Sequence, residues 1–359
     1  MLNLISMIFK KSLFAILIIL LSCVCANAQL RVGSSPETQE YYSKARQFIA
    51  KKDYANAILV FNQLVQMEPR NIFFRRELAQ TYSLAGDYTR ATKVIMPLLK
   101  AEESDDIVFF YAGQILMARN MRGEAMDAVT SGIKKFPTSG VLYELKGKLW
   151  NDREKYEKAV ESWEKGIQVD PRFHMNYYNL AKSYFVSKRP IWAIIYGESF
   201  INLNKRSRQA DEMKRLVFDS YKQLMSNIQL ERLENEKYRK NARKMLSPFE
   251  REIRDIYSSL SYLVAGGVTA DNITMLRTRF LLDWMGKYNA EKPYALFEYL
   301  TSLTQEGHFD AYNRWLFGQA DSKKHYDEWL KAHPEQLNSF ESFFYGDSSF
   351  RPLRGQYYK

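Results

Sequence analysis

Cysteine is nearly absent from this chain. The only two, Cys23 and Cys25, fall within its first 28 residues. Cleavage after Ala28 therefore leaves no thiol, which excludes disulfides, thiolate catalysis and zinc–thiolate sites from the remainder. Histidine is scarce too. His174, His308, His325 and His333 are the four, and the last two stand eight residues apart rather than four, so no pair on adjacent helical turns brackets a glutamate as a zinc protease needs. His174 reads as a surface residue. The Gly-x-Ser-x-Gly elbow and the phosphate-cradling glycine loops are missing, and Gly266-Gly267 alone is too weak to stand for either. Asp310, Asp321 and Asp327 leave one enzymatic reading open, a carboxylate pair brought together in the C-terminal helical domain, against the commoner reading of isolated acids on helix surfaces. These absences predict a chain that is not an enzyme and that holds no cofactor or metal.

Glycine and proline are also few, 16 and 10 in 359 residues, while 46% of residues are hydrophobic and 26% charged. That balance excludes disordered and fibrous classes and predicts a folded chain. Long apolar runs are limited to one. Lys10 and Lys11 precede the stretch from Leu13 to Leu21, and Ala26-Asn27-Ala28 supplies the small residues that a signal peptidase reads, so 1–28 reads as a signal peptide. The run is far short of the roughly 20 apolar residues a spanning helix needs. Two cleavage positions are open. Cleavage after Ala28 would release a soluble exported protein, periplasmic or on the cell surface. Leu20-Leu21-Ser22-Cys23 also fits the lipobox, at which cutting would leave an acylated Cys23 and a membrane-attached chain. The Ala-Asn-Ala-Gln junction favours the first.

Removing Lys10 and Lys11 with no acid lowers the formal charge from +11 to +9. A basic surplus suits nucleic acid, an acidic membrane surface or an acidic protein, or it is simply solvated. Export argues against nucleic acid, and membrane contact is expected only if Cys23 is lipidated.

The strongest signal is a repeat. Ala57, Ala91, Ala125, Ala159 and Ala193 recur every 34 residues without an insertion, as do Ala45, Ala79, Gly113, Gly147 and Ala181. Large residues keep the same register at Phe48, Tyr82, Leu116, Trp150 and Tyr184. A fourth column, Phe61, Ile95, Val129 and Trp163, lapses at Gly197, and Pro69, Pro137 and Pro171 close three repeats. Small residues let two helices approach closely while the large ones fill the space beside the crossing. Lys52-Asp53 and Gly86-Asp87 mark turns inside a pair, and proline ends helices because it lacks the amide that continues the ladder.

On these residues the chain resembles the tetratricopeptide repeat family, with the match covering 38–207. Tyr41, Ala45, Phe48, Tyr54, Ala57, Phe61 and Pro69 fit the family pattern in the first unit, and Tyr143, Gly147, Trp150, Tyr156, Ala159, Trp163 and Pro171 fit it in the fourth. The fifth departs, with Pro190 where an aromatic is usual, Gly197 in the bulky column and no closing proline after Leu203, which predicts weaker packing and a joint to the C-terminal third. Pro190 is tolerable in a first helical turn. The implied fold class is all-α, a tetratricopeptide-type α-solenoid of about five helix-turn-helix repeats followed by a helical C-terminal region.

The resemblance also implies a groove lined by the first helix of each pair, and a protein or peptide partner held there. By position the lining is Tyr42 and Arg46; Phe73, Arg76 and Gln80; Ile107, Phe110, Tyr111 and Gln114; Val141, Glu144 and Lys148; then Met175, Tyr178, Asn179 and Lys182. Aromatic rings with polar tips dominate many interfaces, and Arg46, Arg76, Lys148 and Lys182 suit an acidic segment or a terminal carboxylate. Phe73, Phe110 and Tyr111 have a second reading, as side chains packed under a neighbouring helix. The Lys and Asn pattern of the carboxylate-clamp subgroup is not reproduced, so its ligand does not carry over.

From Arg208 the columns stop. Met213, Leu216, Val217, Tyr221, Leu224, Met225 and Ile228 predict an amphipathic helix able to cap the solenoid, and 208–247 reads as capping and connector helices, charged from Glu231 to Lys244. Residues 248–345 read as a small helical domain broken at Gly266-Gly267. In it Asp271 caps a helix reaching Lys287, Pro293 opens the next, Asp321 caps one through Trp329, and Trp284, Phe297, Trp315, Phe317 and Trp329 supply a core. This region faintly resembles C-terminal regions of exported repeat proteins of Bacteroidota, a likeness that carries no function. The tail, 346–359, has no period.

Overall fold

The computed structural model describes residues 35–346 and 350–356. The signal-peptide segment 1–28 lies outside them, as do 347–349 and 357–359 of the tail. Among the described residues there are eighteen α-helices and no strand, and the fold is a tetratricopeptide-type α-solenoid followed by a helical C-terminal region.

The repeat helices are α1 (Pro36–Ala50), α2 (Tyr54–Met67), α3 (Ile72–Leu84), α4 (Tyr88–Ile95), α5 (Asp106–Ala118), α6 (Arg122–Lys135), α7 (Gly140–Asn151), α8 (Tyr156–Val169), α9 (His174–Val186) and α10 (Pro190–Leu203). First helices start at Ile72, Asp106, Gly140 and His174, and α11 (Arg208–Leu233) starts one further period on. The register thus runs on for one further helix, and the large column runs with it to the buried Phe218, a correction to the reading that the columns stop at Arg208. The residues ahead of these starts include Asn71, Asp105 and Ser207, whose side chains accept amide hydrogens three residues on and satisfy donors that the helix itself leaves free. Repeat two lacks a closing proline because Pro97 acts earlier, ending α4 in a 3-10 turn, Met96–Lys100.

Inside every pair the chain reverses by one device. Lys52, Gly86, Asn120, Glu154 and Lys188, each 34 residues after the last, take φ of 59°, 80°, 61°, 58° and 60°. In each turn the next residue's amide reaches back to the large column, as in Asp53 N to Phe48 O at 2.9 Å and Arg189 N to Tyr184 O at 2.9 Å. That is the Schellman closure of a helix end. Only one of the five left-handed positions is glycine, so the period in backbone angle is hidden in the sequence.

The chain divides into two compact units, one ending at Met121 and the other beginning at Arg122. In the first, Ala45, Ala57, Ala79 and Ala91 are fully buried at the helix crossings, with Phe61 and Ile95 filling the space beside them.

In the second unit α10 is the central element. Every residue from Pro190 to Asn202 is buried, the condition of a helix surrounded on all sides. The expected weak packing of the fifth repeat is therefore corrected. Gly197 is small because α11 approaches it: a methyl group there would meet Val217 Cγ2 at 2.5 Å and Met213 Sδ at 3.2 Å. Pro190 occupies the first turn of α10.

The remaining helices are α12 (Glu236–Lys244), α13 (Pro248–Leu260), α14 (Ala270–Lys287), α15 (Ala295–Gln305), α16 (Phe309–Asp321), α17 (Lys323–Ala332) and α18 (Pro334–Tyr345). With α12 excepted, they share one hydrophobic core with α8 to α11. Arg277 of α14 pairs with Glu198 of α10 and donates to Asn313 of α16, and Tyr312 donates to Glu198 at 2.8 Å. Two caps differ from expectation. Thr269, not Asp271, caps α14 through a reciprocal capping box, and Ser322 caps α17. Asp321 instead accepts the Ala270 amide at 2.8 Å, tying the end of α16 to the start of α14. Phe350 of the tail is buried against Tyr299, and Gln356 Oε1 accepts the Ala295 amide at 2.8 Å, supplying the cap that Tyr294 cannot.

Candidate binding surface

In the first unit the candidate residues come from α1, α3 and α5. Tyr42 meets the Phe73 ring edge-on at 5.3 Å, and the Arg76 guanidinium lies 4.8 Å over the other candidate ring, Phe73. Arg76 is itself buried and pairs with Asp105, whose second oxygen caps α5 by accepting the Val108 amide at 3.0 Å. Glu77 stands between the two arginines, 3.5 Å from Arg76 Nε and 3.7 Å from Arg46 Nη1. Phe110 and Tyr111 are neighbours at 5.8 Å and half-buried, as are Tyr42, Phe73, Gln80 and Gln114, while Arg46 is exposed.

Glu77 and Asp105 are the residues sequence reasoning missed here. Glu77 is four residues after Phe73 and so on the same helical stripe as Arg76 and Gln80. That spacing was the available signal; the intervening choice of aromatic and basic residues obscured it. Burial raises the Glu77 carboxyl above its ordinary pKa although Arg76 and Arg46 act to lower it. Burial, followed by the charge of Glu77, likewise raises the Tyr42 and Tyr111 hydroxyls, which keeps both rings neutral donors.

In the second unit the candidates lie on α7 and α9. Lys148 pairs with Glu144 at 2.6 Å, and Asn179 donates to the same oxygen at 3.2 Å. Glu144, placed by sequence in the lining, is buried. Lys182 is 3.1 Å from Glu212 of α11, and Tyr178 donates to Glu212 at 2.9 Å while its ring rests against Phe200 at 5.1 Å. Burial raises the Tyr178 pKa. His174 is not a plain surface residue. It is half-buried between Phe173 and Phe200, and burial lowers its pKa. The helices packed on α9 are α7, α8, α10 and α11; the later helices dock on α10 and α11 instead, leaving Tyr178 and Asn179 half-exposed and Lys182 exposed.

All four cations expected to meet a partner's acids thus already face a carboxylate of the chain. What the surface offers chemically is a set of half-exposed rings and amides held in place by internally balanced charge.

The chain matches no protein-family model and no curated protein. Among solved structures it is similar to TTC0263, a thermophilic TPR protein in Thermus thermophilus, at 14% identity over 50% of this chain and 98% of that one, TM-score 0.44. It is similar to PilW, described as a widely conserved type IV pilus biogenesis factor, at 14% identity over 58% and 100%, TM-score 0.43. For YrrB, described as a TPR protein with an unusual peptide-binding site, the figures are 13%, 54%, 97% and 0.34. The assignment of the fold rests on the chain's own 34-residue spacing of caps, crossings and turns.

Proposed function

We propose that this protein is a non-catalytic adaptor that grips a segment of another polypeptide on the first helices of its repeats, and that it is exported to the periplasm or cell surface. The observation that carries the reading is the half-exposed row Tyr42, Phe73, Phe110 and Tyr111 beside the balanced set Arg46, Glu77, Arg76 and Asp105. A ring already fixed by a guanidinium and a neighbouring ring loses little freedom on binding, which is the condition under which aromatic anchors contribute most. An acidic segment would have to compete with Glu77 and Asp105 for Arg46 and Arg76. A mixed segment whose apolar side chains meet the rings and whose backbone meets Gln80 and Gln114 fits better.

The test is photocrosslinking from position 111 in the native cell, identification of the captured protein, and measurement of its affinity. Phe110→Ala with Tyr111→Ala should weaken that affinity about tenfold or more with helicity intact, given that central aromatic anchors are worth about 2 kcal/mol or more. Unchanged affinity, or a collapse of thermal stability, would sink the reading. Export has its own test. Mass spectrometry of the cell-derived protein should find Gln29 at the N-terminus; an acylated Cys23 would instead support a lipid-anchored subunit of an envelope complex.

A further inference from the structure

Helix α12 has no buried residue. At 9 residues it is shorter than the roughly 12 that a free helix needs to persist in water, so its surroundings matter. Tyr238, Ala242 and Met245, at the end of the helix, follow one another at i, i+4 and i+7 and share one stripe. In the repeats such stripes face the core. Here the charged side of the helix is the one tied to the protein, through Arg243 to Asp255 of α13 at 2.6 Å. Its two large apolar side chains face outward, Tyr238 54% and Met245 84% exposed, with Ala242 half-buried between them, and Leu233 at the end of α11 is 84% exposed as well. Lys237 and Lys244 flank the stripe, while Arg239 lines the cleft that α12 forms with α11 and α13, beside Arg254 and Asp255. Neither of the two lysines has a carboxylate partner among the described residues, whereas Lys240 is held by Glu236 at 2.7 Å.

We propose that α12 and Leu233 form a docking surface for an anionic phospholipid bilayer, with Tyr238 and Met245 entering the headgroup layer and the flanking cations meeting lipid phosphates. Charge selects an anionic partner. Area selects a lipid surface over a protein, because a stable protein interface takes about 800 Å² from each side with a fitted core, more than one short helix with three outward apolar side chains presents. A bilayer requires only shallow insertion of an apolar face and attraction to nearby cations. Long cationic stems lie along apolar surface while their heads stay with the phosphates, and a tyrosine ring suits the boundary between apolar and wet regions. At 9 residues α12 is too short to cross a membrane, so its contact would be a shallow one.

Flotation of the chain beginning at Gln29, with vesicles of pure phosphatidylcholine and of phosphatidylcholine mixed with phosphatidylglycerol, tests this. Binding to the mixed vesicles alone is expected. Lys237→Glu with Lys244→Glu should weaken it at least about tenfold, and Tyr238→Ser with Met245→Ser should weaken it comparably at physiological salt. Both pairs are exposed, so circular dichroism and the unfolding midpoint should be unchanged. No binding to mixed vesicles, equal binding to both kinds, or undiminished binding by the serine pair would each overturn the proposal. Crosslinking of α12 to an acidic protein without vesicle binding would overturn it too.

Discussion

Gly147 lies against the indole of Trp163: a methyl group on its Cα would come within 2.1 Å of Nε1 and 2.5 Å of Cδ1. The indole cannot easily step aside, because its Nε1 donates to the Glu144 carbonyl at 3.0 Å. Two of the 34-residue columns, the small one and the bulky one, therefore meet at this crossing between α7 and α8.

Gly147→Ala should destabilise the protein by about 1–3 kcal/mol through overpacking, despite alanine's better helix propensity. Gly286 in α14 has open space around its Cα, so Gly286→Ala should be neutral or stabilising by up to about 1 kcal/mol. Urea unfolding of the two variants reads the contrast, and equal effects would refute the crossing geometry.

Left-handed backbone at Glu154 and Lys188 costs about 1–2 kcal/mol at a side chain that is neither glycine nor asparagine. Glycine removes that strain but adds freedom to the unfolded chain. Glu154→Gly and Lys188→Gly should each stabilise by roughly 0.5–1 kcal/mol, read as a higher denaturation midpoint. Gly86→Ala should shift the midpoint the other way.

The side chains of Arg277 and Glu198 are only 2% and 1% exposed. Removing one member strands a buried charge, so Arg277→Met should cost about 3–5 kcal/mol. Pairing it with Glu198→Met should recover much of that loss, because no charge is then left alone. A double variant as unstable as the single would mean that the polar contacts of Tyr312 and Asn313, not the ion pair, dominate.

Lys205 donates to the Phe344 carbonyl and lies 3.9 Å over that residue's ring. Burial lowers its pKa from 10.5 to about 8. Between those values the unfolded chain binds more proton than the folded one, so the contribution of this group to stability rises with pH across that window, and the penalty is complete below pH 8. Lys205→Met keeps the stem and removes the titration. The stability difference between native protein and variant should therefore move in favour of the native protein as pH goes from neutral to alkaline; a constant difference would refute the assignment.

The period was legible because it is written in volume. Ala57, Ala91, Ala125, Ala159 and Ala193 are all fully or almost fully buried, and no other side chain of similar propensity fits such a crossing. The turns were legible at Lys52-Asp53 and Gly86-Asp87, but not at Glu154 or Lys188, whose side chains give no sign of positive φ. The aromatic members of the candidate surface were found through the resemblance and Glu77 was not, because a lone glutamate on a helix is ordinarily a solvated group.

The sequence by itself determined the helix pairs, their caps and the large-to-small matching at their crossings, since propensity, capping and volume act over distances of one repeat. Only the tertiary structure decided that α10 would be enclosed, that Arg277 would find Glu198 across 79 residues of chain, and that Arg46 and Lys182 would face carboxylates of neighbouring helices. Those outcomes depend on which helices meet, and the sum of burial and charge over many distant contacts has no period that a linear reading can detect.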